Sequence, residues 1–484
     1  MPVIQTIPSE IRVKMALPSK TLNVCECHKK DFPPWTGELH GITQALQSDS
    51  TGMKIFWWIV VLSCVVGGTA TTVLVIIEYV NGPTATSTTI RLVTTLKLPA
   101  ITVCPKVPDA FNFTLLYIDM KTFLPRISEE GARDLIRFWL GGNGLENMDK
   151  LSSFNRSYLD VLSEQYKIWS KGYNQYDFFE IIQNQYGYKC EDLFFWCQLG
   201  GKQWDCCSQL FQRQVVMRRG ICYQTLPSVN QTEPDDVGRL VVSLKAPSSV
   251  TSPHYNYTQP QLLIYVTDNH EFVVDYPRYY LYPHEWNRMR FTARFIELLP
   301  HPHVCTDQKF GKDAACFVRR WLLSNIAGPY NCTLVYMPKV PDVPSLPYCN
   351  MTNLAKHYYD AIQLVLSGAK VAQECVPGCK RWDYQISLQQ TAALQPFKDY
   401  VFNLEASFND LQYEDMREVF TTSVPGFMSQ IGGQFGFFLG LSIITLLQII
   451  LYAIHMICTQ VKQALKKATK VARKSSQIAF RTRG

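Results

Sequence analysis

The sequence predicts an α+β membrane protein in which two transmembrane helices flank a large disulfide-rich ectodomain. Three observations carry that expectation. First, two apolar runs lack Lys, Arg, Asp and Glu: Ile55–Ile77, and a longer one from Val419 to Val461. Each exceeds the roughly 20 residues that cross a bilayer. Second, 12 of the 16 cysteines and all six Asn-X-Ser/Thr acceptors lie between the two runs. An even number of cysteines beside glycosylation acceptors points to an oxidising, extracellular compartment and up to six bridges. Third, strand and helix patterns in that segment segregate instead of alternating regularly, which is the α+β signature.

Charge placement sets the orientation. The net charge of +7 is concentrated at the ends, and the chain after Cys458 carries Lys and Arg but no acid. Positive flanks stay cytoplasmic. Both termini are therefore expected inside a multi-pass plasma-membrane protein. The division is 1–54 cytoplasmic tail, 55–78 first span, 79–428 extracellular domain, 429–458 second span, and 459–484 basic cytoplasmic tail. The basic tail suits anionic lipid headgroups, or simply holds the topology. The first span starts too far from Met1 and is too long for a cleaved signal peptide, and reads as a signal anchor.

The elements follow in order. Residues 1–54 are polar. Cys25-Glu26-Cys27-His28 offers half a zinc site with no second half nearby, so free thiols are the better reading and no metal site is expected. Cys25, Cys27, Cys64 and Cys458 stay reduced in this scheme. Ser63, Gly67 and Thr71 place a small-residue face on the first span, ready to receive the second. Ile90–Val103 suits a buried strand. Helical stretches follow at Glu129–Leu140 and Tyr158–Ser170, then a cysteine-rich patch over 190–222. Strand patterns return at Leu240–Leu244, Gln261–Val266 and Arg290–Leu299. Arg319–Ile326 reads as a helix, Pro338–Pro347 as a loop, and Tyr400–Phe408 as a final strand.

The second span carries the functional signal. Gly432, Gly436 and Gly440 recur at helical spacing, so one face is nearly bare backbone that permits close helix approach. Ser442, Thr445, Gln448, Tyr452, His455 and Thr459 then form a polar stripe. Polar groups facing lipid are costly, so the stripe turns to water or to another helix. It is either a pore wall or interhelical hydrogen-bonding glue.

These residues resemble the degenerin/epithelial sodium channel/acid-sensing ion channel family, as an invertebrate member. The likeness runs from about His40 to about His455. Its fixed points are His40-Gly41 before the first span and Leu98-Pro99-Ala100-Ile101-Thr102-Val103-Cys104 after it. Next come Cys197, Cys206-Cys207, Phe211 and Gly220-Ile221-Cys222-Tyr223, then Leu299-Pro300-His301-Pro302 before Cys305. Cys332 with Tyr336-Met337-Pro338, Cys375-Val376-Pro377-Gly378-Cys379, Ile431-Gly432-Gly433 and Gly440-Leu441-Ser442 complete the order.

The resemblance implies a trimeric, sodium-preferring, amiloride-sensitive cation channel whose ectodomain is divided into palm, β-ball, finger, thumb and knuckle. Gly440, Leu441 and Ser442 match the selectivity filter, with Leu441 a departure at its middle place. Thr445 and Gln448 line the pore below. His40 and Gly41 match the gating pair, and Ser429 the position where a bulky side chain locks the pore open. The implied disulfides are Cys305–Cys379, Cys316–Cys375, Cys332–Cys349 and Cys104–Cys222, with Cys190 and Cys197 sharing Cys206 and Cys207 in an open order. Glycosylation is expected at Asn112, Asn155, Asn230, Asn256, Asn331 and Asn350.

Gln448 stands where the family usually has an acid, as does Gln430, which weakens the field that concentrates cations. The subunit assembles as a homotrimer or with related subunits, and the alternative role is a non-conducting modulatory partner. Gating is by protons, peptide or force, or the channel is constitutively open. Clustered carboxylates (Glu233, Asp235 and Asp236; Asp268, Glu271 and Asp275) and histidines such as His254, His270, His284, His301 and His303 are candidate proton sensors. Solvated loops are the plainer reading of each. Asp410, Glu414 and Glu418, just ahead of the second span, either draw cations inward or are surface charge. No enzyme motif of the HExxH, GxSxG or phosphate-loop kind is present. No cofactor beyond the permeant Na⁺ and no nucleic-acid partner is expected.

Overall fold

The computed structural model describes residues 41–251, 257–268, 271–274, 276–301, 304–307, 313–337, 340, 343–363, 375–440 and 442–481. They form two compact units, one of residues 1–83 with 420–484 and the other Thr84–Val419.

The first unit is helical. A short α1 (Ile42–Gln47) precedes α2 (Thr51–Asn81), which contains the whole first apolar run and ends at Gly82 in the left-handed conformation. The second apolar run does not form one helix over 429–458. It splits into α9 (Val424–Leu439) and α10 (Ile443–Arg481). Two helices are long and apolar enough to cross a membrane, Thr51–Asn81 and Ile444–Lys466. The expected basic tail is a continuation of α10, because its Lys, Ala, Gln and Arg residues are good helix formers.

The second unit begins with β1 (Thr84–Leu92), β2 (Leu96–Lys97) and β3 (Ala100–Pro105). The single strand expected over Ile90–Val103 is therefore three. β1 is exposed along its whole length, and Pro99 cannot donate to a ladder, so β3 is free to join another sheet. Four helices follow: α3 (Phe113–Phe123), α4 (Glu129–Gly142), α5 (Arg156–Trp169) and α6 (Gln175–Tyr186). Their starts are set by side-chain caps. Asn112, Ser128, Asn155 and Asn174 each accept from the backbone N–H three residues on. Asn350 does the same for α8 (Met351–Lys356), which follows α7 (Asp313–Leu322). Three of these caps, Asn112, Asn155 and Asn350, are also glycosylation acceptors in the sequence.

The strands after α6 are β4 (Phe194–Leu199), β5 (Lys202–Trp204), β6 (Phe211–Val216), β7 (Gly220–Thr225), β8 (Asn230–Gln231) and β9 (Leu240–Leu244). They continue as β10 (Leu262–Thr267), β11 (Tyr279–Leu281), β12 (Glu285–Glu297), β13 (Lys380–Ala392) and β14 (Phe402–Phe420). One sheet runs β13-β12-β14-β9-β4-β5 with β1 on β14; a second runs β11-β10-β3-β7-β6. β14 pairs parallel to β12 and bulges over 409–412, where the register passes from Phe408 opposite Phe291 to Tyr413 opposite Ala293.

Two large apolar cores and a smaller one around Leu263 and Tyr265 hold the unit. A helical core gathers Trp139, Trp169, Phe178 and Phe179 in edge-on and tilted ring contacts. The other large core packs Phe291, Phe402, Phe408 and Ile264 between the sheets. Six disulfides fasten the edges. Cys104–Cys222 ties β3 to β7, and Cys305–Cys379, Cys316–Cys375 and Cys332–Cys349 are nested. The doublet divides as Cys190–Cys207 and Cys197–Cys206. Cys64 and Cys458 are free thiols.

Candidate functional site

The site is built from the interruption between α9 and α10. Gly440 closes α9 with φ 65° and ψ 17°, its N–H donating to the Gly436 carbonyl at 3.1 Å. That left-handed geometry disfavours residues with a Cβ. Ser442 then caps α10. Its Oγ accepts from the Thr445 N–H at 3.1 Å and lies 3.0 Å from Thr445 Oγ1. A helix that ends and restarts inside an apolar run leaves terminal carbonyls without intrahelical partners. Such carbonyls, with a hydroxyl beside them, can replace part of a small cation's hydration shell. Leu441 lies outside the described residues.

Thr445 is buried within the single chain and its hydroxyl is engaged by Ser442, so it acts as a cap as well as a member of the polar stripe. Gln448 is half-buried, one turn further on. Ser429 and Gln430 are exposed on α9.

Packing within this unit differs from the glycine-face expectation. Gly432, Gly436 and Gly440 are all exposed, and a Cβ at Gly432 or Gly433 would meet nothing. The close approach comes instead from α2, where a Cβ on Gly67 or Gly68 would come within 3.0 Å of the Phe438 side chain. Phe438 sits two residues before the break, so this notch fixes the end of α9. The buried line on α2 is Gly68 and Thr72, one position round from the expected Ser63 face. At the other end of α9, Tyr79 stacks on Phe427 with ring centroids 4.0 Å apart. The Thr421 N–H and Oγ–H both donate to the Pro83 carbonyl at 2.9 Å.

Gly41 caps α1 with φ 86°, and a Cβ there would approach Val61 Cγ2 to 3.0 Å. The conformation favours glycine, and a Cβ would press on Val61. His40 lies outside the described residues.

Asp235 and Asp236 of the first acidic cluster, and Glu414 and Glu418 ahead of the second span, already have partners. Asp236 pairs with Arg290 at 2.6 Å, and Asp235 also meets Arg290. The Arg290 guanidinium holds the Asp236 carboxyl below its usual range. Glu414 pairs with Arg294 at 2.6 Å. Glu418 accepts from the Thr84 hydroxyl at 2.6 Å and the Leu299 N–H at 3.0 Å, and the Thr84 bond leads in lowering its carboxyl. These shifts run opposite to what a proton sensor near neutral pH needs. Of the other cluster, Asp275 lies outside the described residues, as do His254, His270 and His303.

Sequence reasoning missed a carboxyl that moves the other way. Asp109 is fully buried and its carboxyl is pushed up by that burial, although Ser249, Thr251 and Gln259 donate to it. An Asp beside Pro108 reads locally as a turn; its partners come from a loop far along the chain.

Two helices long and apolar enough to span, the second starting just beyond a left-handed glycine, with a mixed disulfide-rich domain between them in sequence, suit a membrane protein. The chain belongs to the amiloride-sensitive sodium channel family, whose model matches residues 36–452. Acid-sensing ion channel 4-B of Danio rerio is 28% identical over 147 residues, which are 28% of this chain and 26% of that protein. Acid-sensing ion channel 2 of Danio rerio is 28% identical over 147 residues, 26% of each. The chain thus spans about a quarter of the length of the curated relatives it matches. A cryo-EM structure of a proton-activated chloride channel aligns over 80% of this chain and 93% of that one, at 7% identity and a TM-score of 0.28, and carries no argument.

Proposed function

We propose that this protein is a subunit of a plasma-membrane cation channel, sodium-preferring and amiloride-sensitive, with both termini cytoplasmic and the disulfide-rich domain outside. The observation that carries the reading is the break at Gly440 with Ser442 capping the helix beyond it. In this reading Gly440, Leu441 and Ser442 form the selectivity filter, Thr445 and Gln448 line the path below, and His40, Gly41 and Ser429 govern gating. One helix cannot enclose a channel. The exposed faces of Gly432, Gly436 and Gly440 therefore meet neighbouring subunits in a homo- or heterotrimer, and the basic end of α10 meets anionic lipid. Gating is by an extracellular stimulus or the channel is constitutively open.

The test is a voltage-clamp recording of cells expressing the chain, across pH steps and Na⁺/K⁺ exchange, with amiloride added. Inward Na⁺ current blocked by amiloride is expected, and enlarging Ser429 to Phe opens a silent channel. No current from either form, alone or with a related subunit, overturns the reading. Gln448 favours a second reading, a modulatory subunit that works only in a heteromer. Current that appears solely on co-expression selects it.

A further inference from the structure

A cavity of about 660 Å³ lies in the disulfide-rich domain. Its size falls in the range of small-molecule sites. The wall includes Phe113 and Tyr117 from α3, Arg133 from α4, Tyr188, and Ser249 and Tyr257 from the loop after β9.

Arg133 is only 4% exposed. Its guanidinium lies between two rings, 3.8 Å from the Phe113 centroid and 4.1 Å from that of Tyr257. Nη1 donates to the Val250 carbonyl. No carboxylate among the described residues pairs with it. A guanidinium has five N–H donors, and a buried cation without a counter-ion is costly. The rings stabilise its faces, which leaves the donor-bearing edge for a carboxylate.

Glu129 lines the same cavity one helical turn before Arg133. Residues at that spacing are neighbours on one face, yet the two do not bond. Asp192 is a second exposed acid on the wall. Those acids disfavour a bare inorganic anion. They suit a ligand whose carboxylate meets Arg133 and whose ammonium group faces Glu129, with a flat apolar body against Phe113, Tyr117 and Tyr188.

We propose that this cavity binds a small zwitterion with an aromatic body, of the aromatic α-amino-acid class. Arg133 binds the carboxylate and Glu129 the ammonium group. The proposal does not depend on the chain's conducting ions. The test is thermal melting of the purified full chain in detergent with three probes: L-phenylalanine, 3-phenylpropionate, which lacks the ammonium group, and phenethylamine, which lacks the carboxylate. L-phenylalanine is expected to raise the melting temperature most, 3-phenylpropionate less, and phenethylamine not at all. Arg133→Gln abolishes the response. Arg133→Lys retains part of it and guards against a variant that fails to fold. Glu129→Gln reduces the phenylalanine response to that of 3-phenylpropionate. An absent response to millimolar L-phenylalanine overturns the site. So does a phenethylamine response equal to that of the amino acid, or a phenylalanine response unchanged in Arg133→Gln.

Discussion

The two units of this chain use polar groups in opposite ways. In the disulfide-rich domain, outside the Arg133 cavity, acids are paired with arginines: Glu414 with Arg294, Asp236 with Arg290, and Asp415 with Arg91 and Arg417. In the helical unit, the polar groups of the second span are few, and the telling ones cap a broken helix. Stability in the first case comes from buried rings and cross-links. In the second, glycine backbone and large apolar side chains are exposed. The difference separates residues that hold the fold from residues placed for other molecules.

Substitutions can sharpen that contrast. Trp139→Ala, at the centre of the helical core, is expected to cost about 3–5 kcal/mol, whereas Phe437→Ala, 84% exposed on α9, stays within about 0.5 kcal/mol. Denaturant melts of the purified chain compare them, and equal losses would erase the distinction. Replacing Cys104 and Cys222 together by Ala opens a loop of 118 residues. A loss of about 2–4 kcal/mol is expected, read as a lower melting temperature with the other five bridges intact by mass spectrometry. Gly68→Leu drives a side chain into Phe438, costing about 1–3 kcal/mol. Phe438→Ala in that background should recover most of it, and no recovery would mean the notch is not the contact that matters. Ser442→Ala removes the α10 cap at about 1 kcal/mol, with a change in Na⁺/K⁺ reversal potential larger than so small a stability loss explains.

The smallest effects concern pH, and two carboxyls in one domain should differ in sign. Asp236 is held low by Arg290, so its contribution is present above the ordinary carboxylate range and fades as pH falls. Asp109 is pushed up by burial, so its contribution is fullest in acid and is lost as pH rises through the raised value. Melting temperatures against pH for Asp236→Asn and Asp109→Asn check this, and parallel curves would refute it.

Much of this architecture was legible from spacing. The helix expected over Glu129–Leu140 extends to Gly142, and the strand expected at Leu240–Leu244 has those bounds. β13 carries a strand signal in the alternation of Trp382, Tyr384, Ile386 and Leu388, but nothing local names β12 as its partner. The helix break at Gly440 could be suspected from glycine alone. The seat of Phe438 on Gly67 and Gly68 could not, since no local pattern names a partner in another helix. Arg133 looks like any exposed helix arginine until Phe113 and Tyr257 enclose it.

The asparagine caps have a practical consequence for genetics. Asn112, Asn155 and Asn350 each use Oδ1 to receive a backbone N–H, at 3.2, 2.8 and 3.1 Å. That leaves Nδ2, the atom a sugar would occupy, pointing away from the cap. An Asn→Gln exchange made to erase a glycan would therefore also unfasten a helix, by about 1 kcal/mol, and a trafficking defect would be credited to the missing sugar. Thr114→Ala erases the first acceptor while sparing its helix.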